Sequence, residues 1–249
     1  MIRIGTAGWS LPAETRGGFP GEGAILARYA AVFAAVEINS SFYRPHRPQT
    51  YARWAASTLP GFRFALKAPR AVTHEARLVD CGARLADFRV QAQNLGDRLG
   101  PLLIQLPPSL AFDQAIAQRF FENLRGLWPE AVACEPRHAS WFAAEADDLL
   151  TAFQVARVAA DPAADPRAAV PGGWRRLAYW RLHGSPRMYA SAYGPERLAR
   201  LMEVLAASEA DETWCIFDNT AAGAATVDAL NLMTLMRGVE PARPGRGGS

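Results

Sequence analysis

One lysine is the first residue of this chain whose chemistry stands out. Lys67 is the only lysine among the 27 lysine and arginine residues of the 249-residue sequence, and it lies in the segment "FRFALKAPRAVTH", residues 62–74. The guanidinium of arginine is planar and always charged, whereas the lysine amine is compact and its pKa moves readily on burial. Lys67 is therefore a candidate for proton transfer or for Schiff-base formation with a carbonyl compound. The alternative is a surface residue without a special role.

Other polar and ionisable residues lie, like Lys67, at the end of a short apolar run. The segments are "VEINSSFY" (36–43), "LIQLPP" (103–108), "ACEPRH" (133–138), "VAAD" (158–161), "WRLHG" (180–184) and "CIFDNT" (215–220). If the apolar runs are parallel strands, their carboxyl ends meet at one edge, where α/β barrels carry their active sites. The sequence thus predicts that acidic, basic and amide side chains converge on one site.

Eight apolar runs and the segments between them must position these residues. The runs are residues 2–8, 35–39, 62–67, 101–106, 131–136, 155–161, 177–183 and 213–219. Most of the intervening segments have helical periodicity, and this alternation predicts parallel βαβ units. Eight units favour a single TIM-like (β/α)8 barrel over residues 1–239, followed by a flexible C-terminal tail, 240–249. The Pro/Gly-rich residues 162–176 are expected to form an irregular connection after strand six.

Alternation along each strand indicates which side chains face inward, since neighbouring residues of a strand point to opposite sides. The residues assigned to the inner side are Glu37, Lys67, Glu135, Arg137, Asp161, Arg181 and His183. Asp218 and Asn219 fall on opposite sides, and the pattern leaves open which of the two faces inward. Burying unpaired ions is costly, so these groups must pair or bind a ligand. A purely structural ion-pair network is the alternative to a ligand site.

The composition is that of an ordinary globular protein, with 50% hydrophobic and 20% charged residues. The net charge of +3 and the absence of a basic block permit an acidic partner without requiring one. The three cysteines, Cys81, Cys134 and Cys215, form no CxxC pair, which favours a reducing, cytoplasmic location. We find no apolar stretch long enough for a membrane span and no secretion signal at residues 1–9.

Several segments in the right order make the sequence resemble the DUF72 family, also called YecE-like. They are "IGTAGWS" (4–10), "VEINSSFYR" (36–44), "FRFALKAPRAVTH" (62–74), "LGPLLIQLPPS" (99–109), "ACEPRHASW" (133–141), "YWRLHG" (179–184) and "FDNTAAGAA" (217–225). The resemblance covers roughly residues 2–236 and implies a TIM-like barrel, but it implies no particular reaction. The positions that match the family's motifs are Gly8, Trp9, Glu37, Asn39, Ser40, Phe42, Tyr43, Lys67, Arg70, Thr73, His74, Gln105, Glu135, Arg137, His138, Trp141, Arg181, His183, Asp218 and Asn219.

The convergence of these residues predicts an enzyme that acts on a small anionic substrate, such as a sugar phosphate, a nucleotide fragment or a carboxylate. The expected catalytic residues, whose side chains can exchange protons, are Lys67, Glu37, Glu135 and His183. We expect arginines to hold the anion through forked hydrogen bonds, and aromatic residues to line the pocket. The expected substrate-binding residues are Trp9, Asn39, Phe42, Tyr43, Arg70, His74, Gln105, Arg137, Trp141, Arg181, Asp218 and Asn219.

Two other functions stay open. A divalent-metal-dependent barrel, similar to an isomerase or an endonuclease, would use the carboxylates and His183 as ligands. Arginines lie among those residues and would repel a cation, so we predict no cofactor and no metal ligands. A nucleic-acid-binding or partner-binding protein would use "SFYRPHRP" (41–48), where aromatic residues lie among basic ones, although a solvated loop at the barrel mouth is favoured there. No membrane partner is expected, and the sequence does not indicate an oligomeric state.

Overall fold

All eight apolar runs contain β-strands in the computed structural model of the chain, which describes residues 1–239. The strands are β1 (Ile2–Thr6), β2 (Ala35–Ile38), β3 (Arg63–Lys67), β4 (Leu99–Gln105), β5 (Val132–Glu135), β6 (Val155–Arg157), β7 (Ala159–Asp161), β8 (Gly172–Gly173), β9 (Leu177–Leu182) and β10 (Glu212–Phe217). The sixth run is divided into β6 and β7 at Val158. Residues 162–176 hold only a 3-10 turn, Pro166–Ala169, and the short β8, in agreement with their Pro/Gly content. The tail predicted for residues 240–249 lies outside the described residues.

Seven α-helices lie between and after the strands of the described part of the chain. They are α1 (Ile25–Ala30), α2 (Pro48–Ala56), α3 (Gly82–Ala92), α4 (Gln114–Leu127), α5 (Ala144–Ala152), α6 (Pro195–Ala206) and α7 (Ala224–Val239). In α4, Asp113 caps the first turn by accepting a hydrogen bond from the backbone N–H of Ile116 at 2.9 Å. The same helix buries Phe120, Phe121 and Leu124 along one face against the sheet layer. Within residues 1–239, none of the helices has the length and apolar character needed to cross a lipid bilayer.

The strands form two sheets. One has the order β1-β10-β9-β7 and the other the order β2-β3-β4-β5-β6-β8. Neighbouring strands run parallel, except for the antiparallel pair β6 and β8. The sheets meet where Ala7 forms a bridge with Glu37 and where the chain passes from β6 to β7. The predicted α/β fold with parallel strands and alternating helices is confirmed, whereas the division into two sheets does not confirm a closed eight-stranded barrel.

Apolar side chains form an inner and an outer layer around the strands. The inner layer consists of Ala7, Ala35, Ala65, Leu103, Ala133, Ala156, Val158, Leu177, Tyr179, Trp214 and Ile216. The outer layer fills the space between the strands and the helices. Residues paired in register on neighbouring parallel strands share a face, so Glu37 lies beside Ala65 and Lys67 lies beside Leu103 on the inner side. The charged residues therefore continue the inner layer towards the carboxyl ends of the strands.

The inward position expected for Asp161 is wrong. Ala160 is paired with Arg181 on the inner side, so its neighbour Asp161 faces the helices, where it accepts hydrogen bonds from Arg197 of α6. Arg157, which has the same strand parity as Asp161, also faces outward and pairs with Asp147 at 2.8 Å. The residues of this run that belong to the inner layer are Ala156 and Val158, which have the opposite parity.

Candidate functional site

The carboxyl ends of five strands bring seven ionisable side chains into one group. We call this group the charged cluster, and its members are Glu37 on β2, Lys67 on β3, Glu135 on β5, Arg137 just after β5, Arg181 on β9, His183 just after β9 and Asp218 just after β10. Arg137 is partly exposed, and every other member is at most 6% exposed. Such a concentration of buried charge is tolerated only where each group is paired, hydrogen-bonded or bound to a ligand.

Arg181 is the central cation of the charged cluster. Its Nε and Nη2 donate to the two carboxylate oxygens of Glu37 at 3.0 and 2.7 Å. Its Nη1 donates to Glu135 at 2.8 Å, and Nη2 also donates to Asp218 at 2.9 Å. All three nitrogens thus bond to carboxylates of the chain itself, and the substrate-binding role expected for Arg181 stays a prediction. Its ion pairs instead connect the six-stranded sheet, which carries both glutamates, to the four-stranded sheet.

His183 lies between two carboxylates. Its Nδ1 is 3.0 Å from Oδ2 of Asp218, and its Nε2 is 2.9 Å from Oε1 of Glu135. Nη2 of Arg137 is also 2.8 Å from the same Nε2. A neutral ring can donate to Asp218 and accept from Arg137, whereas a protonated ring can donate to both carboxylates. The surroundings therefore offer partners to both forms of the imidazole, as a proton-transfer group requires.

Glu135 and Asp218 are held in their charged forms by neighbouring cations. Glu135 accepts hydrogen bonds from Gln105 at 3.1 Å and from Arg181 at 2.8 Å, and it forms an ion pair with Arg137 at 2.5 Å. Burial acts to raise the pKa of Glu135, but the nearby cations hold it well below its usual value. The pKa of Asp218 is also lowered, because Arg181 and His183 outweigh the effect of burial. Gln105, a predicted binding residue, therefore supports Glu135 in this structure.

Lys67 differs from the two arginines of the cluster. Among residues 1–239, its ammonium makes no hydrogen bond and no ion pair, and it sits 4.2 Å from the centre of the Phe42 ring. Burial, and then the charge of Arg181, lower the pKa of Lys67 to about 8, against the opposing effect of the cluster's three carboxylates. Lys67 is thus a buried amine whose proton is held weakly and whose hydrogen-bonding capacity is unused.

An aromatic contact joins Lys67 to His74. The ring of Phe42 lies edge-on to that of His74, with centroids 4.9 Å apart. Nδ1 of His74 is 2.9 Å from the hydroxyl of Thr73, and burial together with the charges of Lys67 and Arg70 lowers the pKa of His74. His74 and Phe42 therefore lie beside the amine, as predicted binding residues would.

An open groove of about 520 Å³ adjoins the charged cluster. The residues that line it are Ala7, Gly8, Trp9, Ser10, Ile25, Asn39, Ser40 and Tyr43. It reaches the cluster through Ala7, which pairs with Glu37. Trp9 is partly exposed and packs edge-on against Trp54 at 5.0 Å, while Tyr43 is 69% exposed. Among the described residues, Oδ1 of Asn39 is buried without a hydrogen-bond partner. Three predicted binding residues thus line one groove.

Three other predicted binding residues lie apart from the charged cluster. The side chain of Arg70 is about half exposed and pairs with Glu75 at 3.1 Å. Trp141 is buried in the outer apolar layer, where its indole N–H donates to the carbonyl of Leu110 at 3.0 Å. Asn219 points away from the cluster, and its amide donates to Asp228 at 2.7 Å. Of the pair that alternation left unresolved, Asp218 is therefore the inward residue.

Tyr189 is a site residue that the sequence analysis missed. Its ring lies edge-on to that of His183, with centroids 5.5 Å apart, and it is 43% exposed. It belongs to the loop 184–194, which begins at Gly184 with φ of +88°, where a Cβ would come within 2.6 Å of the carbonyl of Ser191. Alternation along strands does not predict the path of a loop. The sequence marks the loop 184–194 only by the glycines at its two ends, Gly184 and Gly194.

Tyr179 was also missed as a site residue, although alternation places it on the same side as Arg181. Its hydroxyl donates to Oε2 of Glu37 at 2.9 Å, directly beneath the guanidinium of Arg181 in the strand. Burial raises the pKa of Tyr179, so the hydroxyl keeps its proton and acts as a hydrogen-bond donor. Strand alternation alone could therefore have identified Tyr179 as a residue of the site.

The residues that could bind a metal do not form a ligand set. Within the part of the chain that the structure describes, no group of three or more His, Cys, Asp or Glu side chains is arranged to hold a metal ion. Arg137 and Arg181 occupy the space between the carboxylates, as described above. Cys81, Cys134 and Cys215 are buried and unpaired among residues 1–239. Independence from metals and other cofactors stays a prediction.

Comparison with known proteins gives a family but no reaction. A family model described as "Protein of unknown function DUF72" matches residues 3–246. The "UPF0759 protein YecE" of Escherichia coli K12 is 33% identical over 144 residues, which are 57% of this chain and 51% of that protein. A protein of the same name from Escherichia coli O157:H7 matches equally. The chain thus spans about half the length of the curated relatives it matches.

Solved structures agree with the fold described above. A DUF72 family protein from Enterococcus faecalis superposes with a TM-score of 0.78 and 20% identity, covering 95% of this chain and 96% of that one. A DUF72 family protein from Thermotoga maritima superposes with a TM-score of 0.76 and 26% identity, covering 95% and 99% of the two chains. The architecture is therefore shared over nearly the whole length.

Proposed function

We propose an enzymatic function for this chain, which belongs to the DUF72 family of proteins of unknown function. The substrate would be a small molecule that carries a phosphate or carboxylate group and binds beside Lys67 at the charged cluster. One observation carries the proposal: Lys67 is only 6% exposed and lies among ionic side chains, yet within residues 1–239 its ammonium makes no hydrogen bond and no ion pair. A ligand oxygen would supply the acceptor that the chain itself does not provide.

Arg137 is the second donor for the anion. It contacts Glu135 and His183 through Nη2 alone, and within the described chain its buried Nε has no hydrogen-bond partner. Arg181, in contrast, has every nitrogen engaged. Charge-assisted hydrogen bonds from an arginine fork to phosphate or carboxylate are strong and directional. We therefore assign anion binding to Arg137 and Lys67 rather than to Arg181.

We assign proton transfer to Lys67 and His183. A pKa of about 8 leaves Lys67 able to lose its proton near neutral pH, which is the range in which a general acid or base is most effective. His183 can exchange a proton with a substrate, because a charged carboxylate at each ring nitrogen, Asp218 at Nδ1 and Glu135 at Nε2, orients the ring. Glu37 is fully occupied by Arg181 and Tyr179, so its role is to hold the cluster in place.

The proposed architecture around this site is one TIM-like (β/α)8 barrel made from the two sheets. The bridge between Ala7 and Glu37 and the hydrogen bond from Gly8 N to Glu37 O, 2.9 Å long, support a junction of β1 with β2. The continuous passage through Val158 from β6 to β7 supports the second junction, because its N–H donates to Cys134 O at 2.8 Å. In such a barrel the charged cluster would lie at the catalytic end.

Calorimetric titration tests anion binding directly. Inorganic phosphate, glycerol 3-phosphate and lactate would be titrated into the full chain, into Arg137→Gln and into Arg176→Gln. Arg176 is the matched control, because it is an exposed arginine that precedes β9 at the opposite edge of the sheet. We expect Arg137→Gln to weaken binding by roughly tenfold or more, as the loss of a hydrogen bond to a charged group would do, and Arg176→Gln to leave it unchanged.

Two results would contradict the proposal. If none of the three anions binds the full chain, the cluster is a structural ion-pair network. If both arginine variants weaken binding equally, the effect comes from overall charge and not from a site. Circular dichroism of each variant confirms that the comparison is made between folded proteins.

Exposed residues at the rim favour a second candidate, the binding of single-stranded nucleic acid. Tyr43, Arg44 and Arg47 are exposed on one short segment, which combines an aromatic ring with two cations. Such a surface suits a base stacked beside its phosphates. Gel shifts with single and double strands at two salt concentrations test this candidate, and Tyr43→Ala with Arg47→Gln should abolish any shift that depends on this segment.

A further inference from the structure

We infer that Lys67 condenses with the carbonyl group of an anionic aldehyde, ketone or 2-oxo acid to form a Schiff base. This inference rests on the proposed anion site and names the class of substrate that it would take. It also accounts for the lysine at this position, because a guanidinium stays protonated and cannot form an imine.

The structure fixes the backbone of Lys67 and leaves its amine free. Its carbonyl oxygen accepts a hydrogen bond from the hydroxyl of Ser41 at 2.7 Å, and that hydroxyl also lies 2.8 Å from the carbonyl of Ile38. The next residue, Ala68, donates its N–H to Leu103 O at 2.9 Å. The side chain then passes along the ring of Phe42, and among the described residues its nitrogen ends without an acceptor. A carbonyl carbon could therefore approach the amine without first displacing an ion pair.

The surroundings of Lys67 also favour the free amine that imine formation needs. At pH 7 a pKa of about 8 leaves roughly 300 times more free amine than the ordinary lysine value of 10.5 would. Burial is the main cause of the lowered pKa. Arg137 has donors available for the anionic end of the substrate, which would raise the local concentration of the carbonyl group.

The reaction balances without an oxidant or a reductant. The amine nitrogen bonds to the carbonyl carbon, the carbon–oxygen double bond is lost, and the oxygen leaves as water with the two hydrogens that the amine gives up. The proton transfers between the nitrogen and the departing oxygen need a relay, and His183 with its two carboxylates supplies one within the same cluster. A proton retained on the imine nitrogen would be stabilised by those carboxylates, because they already act to raise the pKa of Lys67.

The composition of the chain makes the test unusually direct. Because Lys67 is the only lysine, a reductively trapped adduct can reside only on Lys67 or on the terminal amine. The full chain would be incubated with glyoxylate, pyruvate or dihydroxyacetone phosphate, reduced with borohydride and analysed by intact mass and tryptic mapping. Modification of Lys67 blocks cleavage there and yields the peptide of residues 64–70, "FALKAPR". The exposed amine of Met1 is an internal control for unselective chemistry.

We expect at least one of the three compounds to label Lys67 in about tenfold or greater excess over the terminal amine, because binding concentrates the carbonyl beside it. Labelling of Lys67 should rise about tenfold per pH unit below pH 8 and level off above it, since the pKa is about 8. Lys67→Arg should lose the adduct at residue 67 and keep that on the terminal amine. The pH profile needs no variant, so it remains decisive if Lys67→Arg does not fold.

The possible failures are distinguishable. If phosphate or lactate binds in the calorimetric test and no compound labels Lys67 above the terminal amine, the anion site stands and the Schiff base is refuted. The Schiff base is also refuted if labelling of Lys67 continues to rise to pH 10, because the amine would then be an ordinary lysine. If neither anion binding nor labelling occurs, both proposals fail together.

Discussion

Replacing Lys67 by methionine is predicted to stabilise the folded protein at neutral pH. Methionine keeps an apolar stem of similar length at this largely buried position and removes an ammonium that makes no hydrogen bond or ion pair among residues 1–239. A residue that serves only the structure should cost stability when it is removed. A residue that serves a ligand is often retained at the expense of stability, so its removal has the opposite sign.

The magnitude follows from the lowered pKa of Lys67. The pKa falls from 10.5 to about 8 on folding, and each unit corresponds to 1.36 kcal/mol, which gives an upper value of about 3 kcal/mol. Between these two values the unfolded chain keeps a proton that the folded protein has lost, so the stability of the wild type rises with pH. Below about pH 8 the destabilisation is complete. We expect Lys67→Met to be about 1–3 kcal/mol more stable at pH 7 and equally stable near pH 10.5.

Urea denaturation followed by tryptophan fluorescence at several pH values between 7 and 10.5 measures this difference. Arg70→Met is the matched control, because Arg70 is a nearby cation with an exposed side chain, and its removal should change the free energy of unfolding by less than about 0.5 kcal/mol. The reasoning is refuted if Lys67→Met is clearly less stable than the wild type at pH 7 and the deficit persists to pH 10.5. Lys67 would then belong to a structural ion-pair network.

Two further substitutions separate structural from binding roles. Arg181→Met should cost about 3–5 kcal/mol at pH 7, because it leaves buried carboxylates without their shared cation. The deficit should shrink only as the pH falls below about 4, since the folded wild type loses the stability that the lowered pKa values of Glu135 and Asp218 provide only below their ordinary values of 4.5 and 3.8; an equal deficit in urea denaturation at pH 7 and at about pH 3 would contradict this. Trp141→Phe should cost about 1–2 kcal/mol through the lost hydrogen bond to Leu110, and calorimetry should show unchanged affinity for phosphate. A large loss of affinity would instead place Trp141 in the binding site.

Regular strands explain how much of the structure could be predicted. The strands β2, β3, β5 and β9 are short and unbroken, so counting alternate residues correctly places Glu37, Lys67, Glu135 and Arg181 on one inner side. The count failed in the sixth run, where the residues that face inward are alanine and valine and the charged ones face the helices. In this run the charge of a side chain does not indicate whether it faces the inside of the sheets. A strand can place a charged side chain on the helix side when a helix or loop residue there forms an ion pair with it.

The partners of the charged residues could not be read from the sequence. Arg181 looked like a substrate clamp, but three carboxylates from other strands converge on it and use all of its nitrogens. Which ions pair depends on the distances between strands, and a single sequence does not contain those distances. The position of Trp141 was decided by the 3-10 turn Ala139–Phe142, which turns the indole towards the outer apolar layer. Tyr189 depends on a loop whose path no strand pattern describes.

The ion pairs of Arg181 have a consequence for attempts to redesign this protein. They tie together sheets whose backbones meet at few points, so the same few side chains hold the framework and lie close to the amine of Lys67. Engineering that exchanges Glu37, Glu135 or Arg181 would loosen the scaffold before it altered selectivity. The productive position for laboratory evolution is the loop residue Tyr189, whose ring packs against His183 and which takes no part in these ion pairs.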